Sequence, residues 1–149
     1  EYRAYEVLNG TYRRVSALPE AVLQAFITCD VEIVKILNLI AILMDSRLFF
    51  EFLREVYNEK IRLGEKEITD RDLNVFFADK AMQSDVVAGW TDTAVRKLKQ
   101  CFTRMMFEAG LLESSVKPRT IKQVHIDYRT EELLTANGLG KYLKAVKGV

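Results

Sequence analysis

Hydrophobic residues between positions 18 and 63 recur at three- and four-residue intervals in three successive blocks, which predicts three packed helices. The first, "LPEAVLQAF", carries Pro19 in its opening turn, where a missing backbone N–H costs little, and is expected to end near Asp30. The second, "VEIVKILNLIAILM" over 31–44, is apolar almost all round, the pattern of a helix enclosed by others in a bundle. Ser46 is placed to cap a third, "RLFFEFLREVYNEKIRL", in which Leu48, Phe49, Phe52, Leu53, Val56, Tyr57 and Ile61 keep helical spacing until Gly64 stops it. No convergent polar groups accompany these aromatics, so they read as core rather than as a ligand box.

The stretch "LGEKEITDRD" is a boundary, and Thr69 with Asp72 three residues on resembles a capping box that opens a new helix. Leu73, Phe76, Phe77 and Ala81 mark its buried stripe to about Gln83, after which "SDVVAGW" turns the chain. Thr91 or Thr93 can then cap a helix over 92–109 whose core arc holds Val95, Leu98, Phe102, Met105 and Ala109. The opposite arc carries Arg96, Lys97, Gln100, Thr103, Arg104 and Phe107, with Lys99 flanking. After Gly110, two leucines close the core. A polar turn at Lys117, Pro118 and Arg119 then leads into a strand-like run at Ile121, Gln123, Val124 and Ile126. Two helices followed by a basic-tipped hairpin are the element order of a winged helix-turn-helix, although seven residues between the helices exceed the usual tight turn. The tail "GLGKYLKAVKGV" predicts a last short helix with Tyr142, Leu143 and Val146 inward and Lys141, Lys144 and Lys147 outward, either extending a basic surface or merely solvated. The expected fold is therefore mainly α: a helical bundle over 1–64, then a winged helix-turn-helix-like basic unit with a small β-hairpin over 65–149, packed on it.

With 149 residues and 49% apolar composition, the chain can bury one medium core or a core shared by two small units. Its 22 basic and 21 acidic side chains leave a net charge of +1, so only their distribution can favour a partner. Residues 30–90 hold 8 basic against 12 acidic side chains, whereas 91–125 hold 7 against 3. Solvated faces could produce such blocks, but surface helices usually interleave Lys and Arg with Glu, and here no acidic residue intervenes between Asp92 and Glu108.

Catalytic and cofactor signatures are missing. His125 is the sole histidine and is expected on a strand face; Cys29 and Cys101 lie far apart with no zinc-ligand spacing and read as buried thiols of a reducing compartment. No phosphate-binding glycine loop occurs, and Asp70 and Asp72 are explained by helix N-terminal charge. No enzymatic activity, metal, cofactor or small-molecule substrate is expected. The apolar run at 31–44, interrupted by Glu32, Lys35 and Asn38, is too short to span a membrane, and no secretory leader is evident.

The stretch from Phe49 to Glu113 carries a recognisable order of residues. Arg54-Glu55-Val56, Lys60, Gly64, Ile68, Asp72 and Lys80 are followed by Trp90, Thr93, Lys97, Leu98 and "EAGLL". In that order and spacing the chain resembles the BrxA family, small accessory proteins of bacterial BREX phage-exclusion systems, over roughly residues 20–146. The resemblance implies a cytoplasmic, all-helical protein encoded with defence genes, without known catalytic residues and associated with double-stranded DNA. It also implies an additional N-terminal stretch, part-way through which this chain begins. Trp90, Thr93, Lys97, Leu98, Gly110 and Leu111 match mainly as markers of the fold, with Trp90 expected as a core plug and Lys97 as a phosphate contact.

The expected function is thus a double-stranded DNA-binding accessory protein, working alongside other BREX proteins. Its helix would dock by Thr93, Arg96, Lys97, Lys99, Gln100, Thr103 and Arg104, and its hairpin would grip phosphates by Lys117, Arg119 and Lys122. Two rivals produce similar patterns. One is an adaptor whose basic helix meets an acidic patch on a larger defence enzyme; the other is an RNA-binding helical bundle of the antitermination type. About four to six phosphate contacts predict a slope of log K against log salt of about −4 to −5 for DNA.

Overall fold

The computed structural model describes residues 2–148, and helix dominates it, with 72% of the chain helical and 3% in strand. The apolar helix α3 (Val31–Asp45) lies at the centre of a bundle, as its all-round hydrophobicity requires. Around it pack α1 (Tyr2–Ser16), α2 (Glu20–Thr28), α4 (Arg47–Phe52) and the last helix, α10 (Gly140–Lys147). Caps set the boundaries: Asp30 accepts from the Ile33 N–H at 3.0 Å and Ser46 from the Phe49 N–H at 3.3 Å. The third helix of the sequence is not uniform, since α4 passes through a π-helical turn at Leu53–Tyr57 into α5 (Asn58–Arg62). That turn presents fully buried Leu53 and Tyr57 to the core, and the Tyr57 hydroxyl donates to the Lys122 carbonyl at 3.5 Å.

The capping box is present: the Thr69 hydroxyl accepts from the Asp72 N–H, and an Asp72 carboxylate oxygen accepts from the Thr69 N–H at 2.7 Å. It starts α6 (Asp70–Gln83), whose Lys80 is buried with its ammonium 2.8 Å from Glu51 and 2.9 Å from Glu55. Eight residues, 84–91, separate α6 from the basic helix because Asp85–Ala88 form a short helix of their own, α7, capped by Ser84. Thr91 then caps α8 (Asp92–Glu108), which ends at Gly110 in the left-handed region, φ +87°.

Besides the short α7, two longer helices went unread in the apolar pattern. Most of the described side chains of α1 are exposed, including Val7, Leu8 and Tyr12, so little of it is drawn into the core. The helix α9 (Tyr128–Ala136) is nine residues long and begins at Asp127, which accepts from the Thr130 N–H at 3.1 Å. It packs on α2 and α10. The core is continuous from Leu18 to Val146 and includes Leu134, Leu143, Ala145 and Val146.

The expected β-hairpin is not confirmed. Among the described residues, strand pairing amounts to two isolated antiparallel bridges, Glu67 with Thr120 and Leu112 with Ile121. Four main-chain bonds accompany them: Ile68 N–H to Arg119 O, Ile121 N–H to Lys66 O, Glu113 N–H to Thr120 O, and Lys122 N–H to Leu111 O, all between 2.8 and 3.0 Å. Residues 123–126 pair with nothing, since the chain leaves this point to reach the Asp127 cap, and His125 is exposed in an irregular segment rather than on a strand. The thiols also differ from expectation: Cys29 is half-buried and Cys101 exposed. Trp90 is half-buried and packs against the core edge.

Replacing Thr69 with Ala removes the hydroxyl that accepts from the Asp72 N–H, leaving only the main-chain half of the box, and is expected to cost about 1 kcal/mol in urea unfolding. The Glu51 carboxyl is held low by its bond from Lys80. Burial pushes the Asp72 carboxyl up, yet the Thr69 N–H, the Lys60 ammonium and the Thr69 hydroxyl outweigh it and hold it low as well. The Thr130 hydroxyl and N–H lower Asp127. Groups depressed in the folded state bind fewer protons there than in the unfolded chain. Unfolding free energy should therefore stay level from neutrality to about pH 5 and decline below about pH 4. Urea titrations across that range check it.

Candidate nucleic-acid interface

Phe102 fixes the rotation of α8. Its ring stacks on Phe49 at 4.7 Å between centroids and meets Phe52 at 5.5 Å and Phe77 at 5.6 Å. Met106 and Ala109 are buried with it, while Val95, Leu98 and Met105 are half-buried. Turned this way, α8 exposes Thr93, Arg96, Lys97, Gln100 and Arg104 along its opposite side, together with Phe107.

Thr103 does not belong to that side. It is buried, and its hydroxyl donates to the Lys99 and Gln100 carbonyls at 3.3 and 3.1 Å, because the buried arc is wider than a single apolar stripe where α8 leans on α6. Lys99 is half-buried for the same reason; its ammonium donates to Asn74 Oδ1 at 2.6 Å and lies over the Phe77 ring at 5.7 Å. Arg104 is exposed but paired with Glu108 at 2.9 Å, one helical turn on.

The segment after α8 departs further from expectation. Arg119 is only 5% exposed, and its Nη2 donates to Asp70 Oδ1 at 2.5 Å while its Nε has no acceptor. A buried guanidinium that anchors the turn to the start of α6 has no free fork for a phosphate. Lys117 is exposed and pairs with the other oxygen of Asp70. Hydrogen bonds from Lys117 and then Arg119 hold the Asp70 carboxyl below the usual carboxylate range. Lys122 is exposed and lines a different groove, with Glu32, Phe107 and Glu113.

A groove of about 660 Å³ runs between α6, α8 and the 115–119 turn. It brings together Arg96, Lys99, Gln100, Thr103, Lys117 and Arg119, and leaves Thr93, Lys97, Arg104 and Lys122 outside. Asp70 and Asn74 line it as well; sequence reasoning treated Asp70 only as helix N-terminal charge and passed over Asn74. Its chemistry is donor-rich and suited to phosphate oxygens and base edges. Among the described residues, no group of three His, Cys, Asp or Glu side chains could hold a metal ion, and no helix is long and apolar enough to cross a membrane.

A family model described as BrxA matches residues 1–138. The chain is 36% identical over 148 residues to "BREX protein BrxA" of Bacillus cereus (strain H3081.97), covering 99% of this chain and 74% of that protein. Its fold is similar to the crystal structure of an uncharacterized protein from Magnetospirillum magneticum, with a TM-score of 0.80 at 18% identity over 91% of this chain and 71% of the other.

The burial differences along the basic segment can be tested directly. Arg119→Met removes a buried partner of Asp70 and should destabilise the protein by roughly 2 kcal/mol. Arg96→Ala and Lys97→Ala, at exposed positions, should leave the thermal midpoint nearly where it is.

Proposed function

The chain belongs to the BrxA family, and from that premise we propose that it is a non-enzymatic, cytoplasmic accessory protein of a BREX phage-defence system that binds double-stranded DNA. The observation that carries this reading is the outer face of α8. Arg96 and Lys97 have no acidic partner among the described residues, Gln100 stands exposed beside them, and the groove toward the 115–119 turn adjoins them. In this reading residues 65–149 form the basic unit and 1–64 the bundle that carries it. The unit is a reduced winged helix: the segments at 66–68, 111–113 and 119–122, joined by their main-chain bonds, frame α6 and α8 in winged-helix order. The helix α8 enters the major groove, where Arg96 and Gln100 reach base edges and Lys97 a phosphate.

The pairing within this region lowers the expected electrostatic contribution. With Lys99 held by Asn74, Arg104 by Glu108, and Lys117 and Arg119 by Asp70, about three phosphate contacts remain, so the slope of log K against log salt falls to roughly −3.

A second reading, contact with other BREX proteins, is favoured by a separate feature. On the outer side of α6 and α7, Val75, Met82 and Val86 are 50%, 88% and 70% exposed, more apolar surface than a solvated helix face needs.

Fluorescence anisotropy with a labelled duplex, competed by single-stranded DNA and by structured RNA, tests the DNA reading. Duplex is expected to bind best, and the triple substitution Arg96→Glu, Lys97→Glu, Arg104→Glu should abolish binding without moving the thermal midpoint. Retained duplex affinity in that variant rejects the assignment of this face, and preference for structured RNA rejects DNA as the ligand.

A further inference from the structure

Asp70 is the one carboxylate lining the groove of about 660 Å³, and both of its oxygens are engaged by cations from the 115–119 turn. Those two cations differ in freedom. The Arg119 side chain is 6% exposed, so its guanidinium is committed to the fold; the Lys117 side chain is 66% exposed, so its ammonium can leave. Asp70 itself is half-exposed at the first position of α6. An ion pair so open to water is cheap to break, and Lys117 can exchange one anion for another. When it does, Arg119 still covers Asp70, so the exchange leaves no orphaned carboxylate.

We propose that Asp70 acts as an internal stand-in for a DNA phosphate, holding Lys117 back from the nucleic-acid backbone and so limiting affinity for duplex of any sequence. This rests on the DNA-binding reading above and adds its regulation. The consequence is selectivity: a sequence-independent contact is withheld, and binding leans on the exposed side of α8, where base edges can be read. Loss of Asp70 should raise affinity for all duplexes alike rather than sharpen preference among them.

Anisotropy titrations of a labelled mixed-sequence duplex with wild type, Asp70→Asn, Lys117→Gln and the double variant provide the test. Asp70→Asn, which keeps an acceptor for Arg119, should bind roughly fivefold tighter at low salt, with a salt slope steeper by about 0.9, the value of one added phosphate contact. Lys117→Gln should cost at least about threefold more in the Asp70→Asn background than in wild type, because only there has the lysine been released. Equal cost in both backgrounds means that Asp70 contributes charge alone and overturns the proposal. Val116→Lys keeps the question open to refutation should Asp70→Asn fail to fold. Val116 is 69% exposed and lines the same groove, and a cation there that Asp70 does not hold should tighten binding; no gain overturns the proposal. If neither wild type nor Asp70→Asn binds duplex, the DNA reading falls and this inference with it, whereas duplex binding with additive substitutions removes this inference only.

Discussion

The arrangement depends on one aromatic contact set. Phe102 inserts among Phe49, Phe52 and Phe77, and those rings come from two other helices, α4 and α6. Edge-to-face contacts of Phe76 with Phe52 and Phe77 extend the set. A helix anchored by a large flat side chain in a closely packed site has little rotational freedom, because an interior at crystal-like density accepts few alternative rotamers. The direction in which Arg96, Lys97 and Gln100 point is therefore decided on the far side of α8, by residues that touch no ligand. The bundle orients the basic helix as well as supporting it.

A second constraint is electrostatic. Positive charge concentrated on one side of a small protein repels itself, and this fold offsets part of it with a partner drawn from distant sequence, Asp70 for Lys117 and Arg119, while the neutral Asn74 only tethers Lys99. Lys80 is treated likewise in the interior, between Glu51 and Glu55. Burial lowers the affinity of that lysine for its proton, but the two carboxylates more than compensate and hold it charged. What remains unpaired on α8 is a short strip, narrower than the formal charge of the segment implies.

The main-chain pairing around Thr120 and Ile121 explains how so small a turn is held in place. Segment 66–68 bonds one side of it and 111–113 the other, Ile68 and Leu112 are buried beneath, and the Tyr57 hydroxyl reaches Lys122 from the bundle. Each tie is short, so no extended sheet develops, yet together they connect the turn to the start of α6, the end of α8 and the π-helical turn.

Local signals in the sequence determined what is local in the structure. Helices over 20–28, 31–45, 70–83 and 92–108 were legible because caps such as Thr69 and Thr91 and the recurrence of apolar residues depend only on neighbours within a turn. The outward placement of Arg96, Lys97 and Gln100 was legible for the same reason. Tertiary structure alone decided that Arg119 is interior, that Lys117 is held by a carboxylate 47 positions earlier, that Thr103 is buried, and that segment 66–68 pairs with 119–121. The physical reason is shared by all four: burial and ion pairing depend on which distant surfaces meet, and neither charge counts nor helical periodicity carries that information.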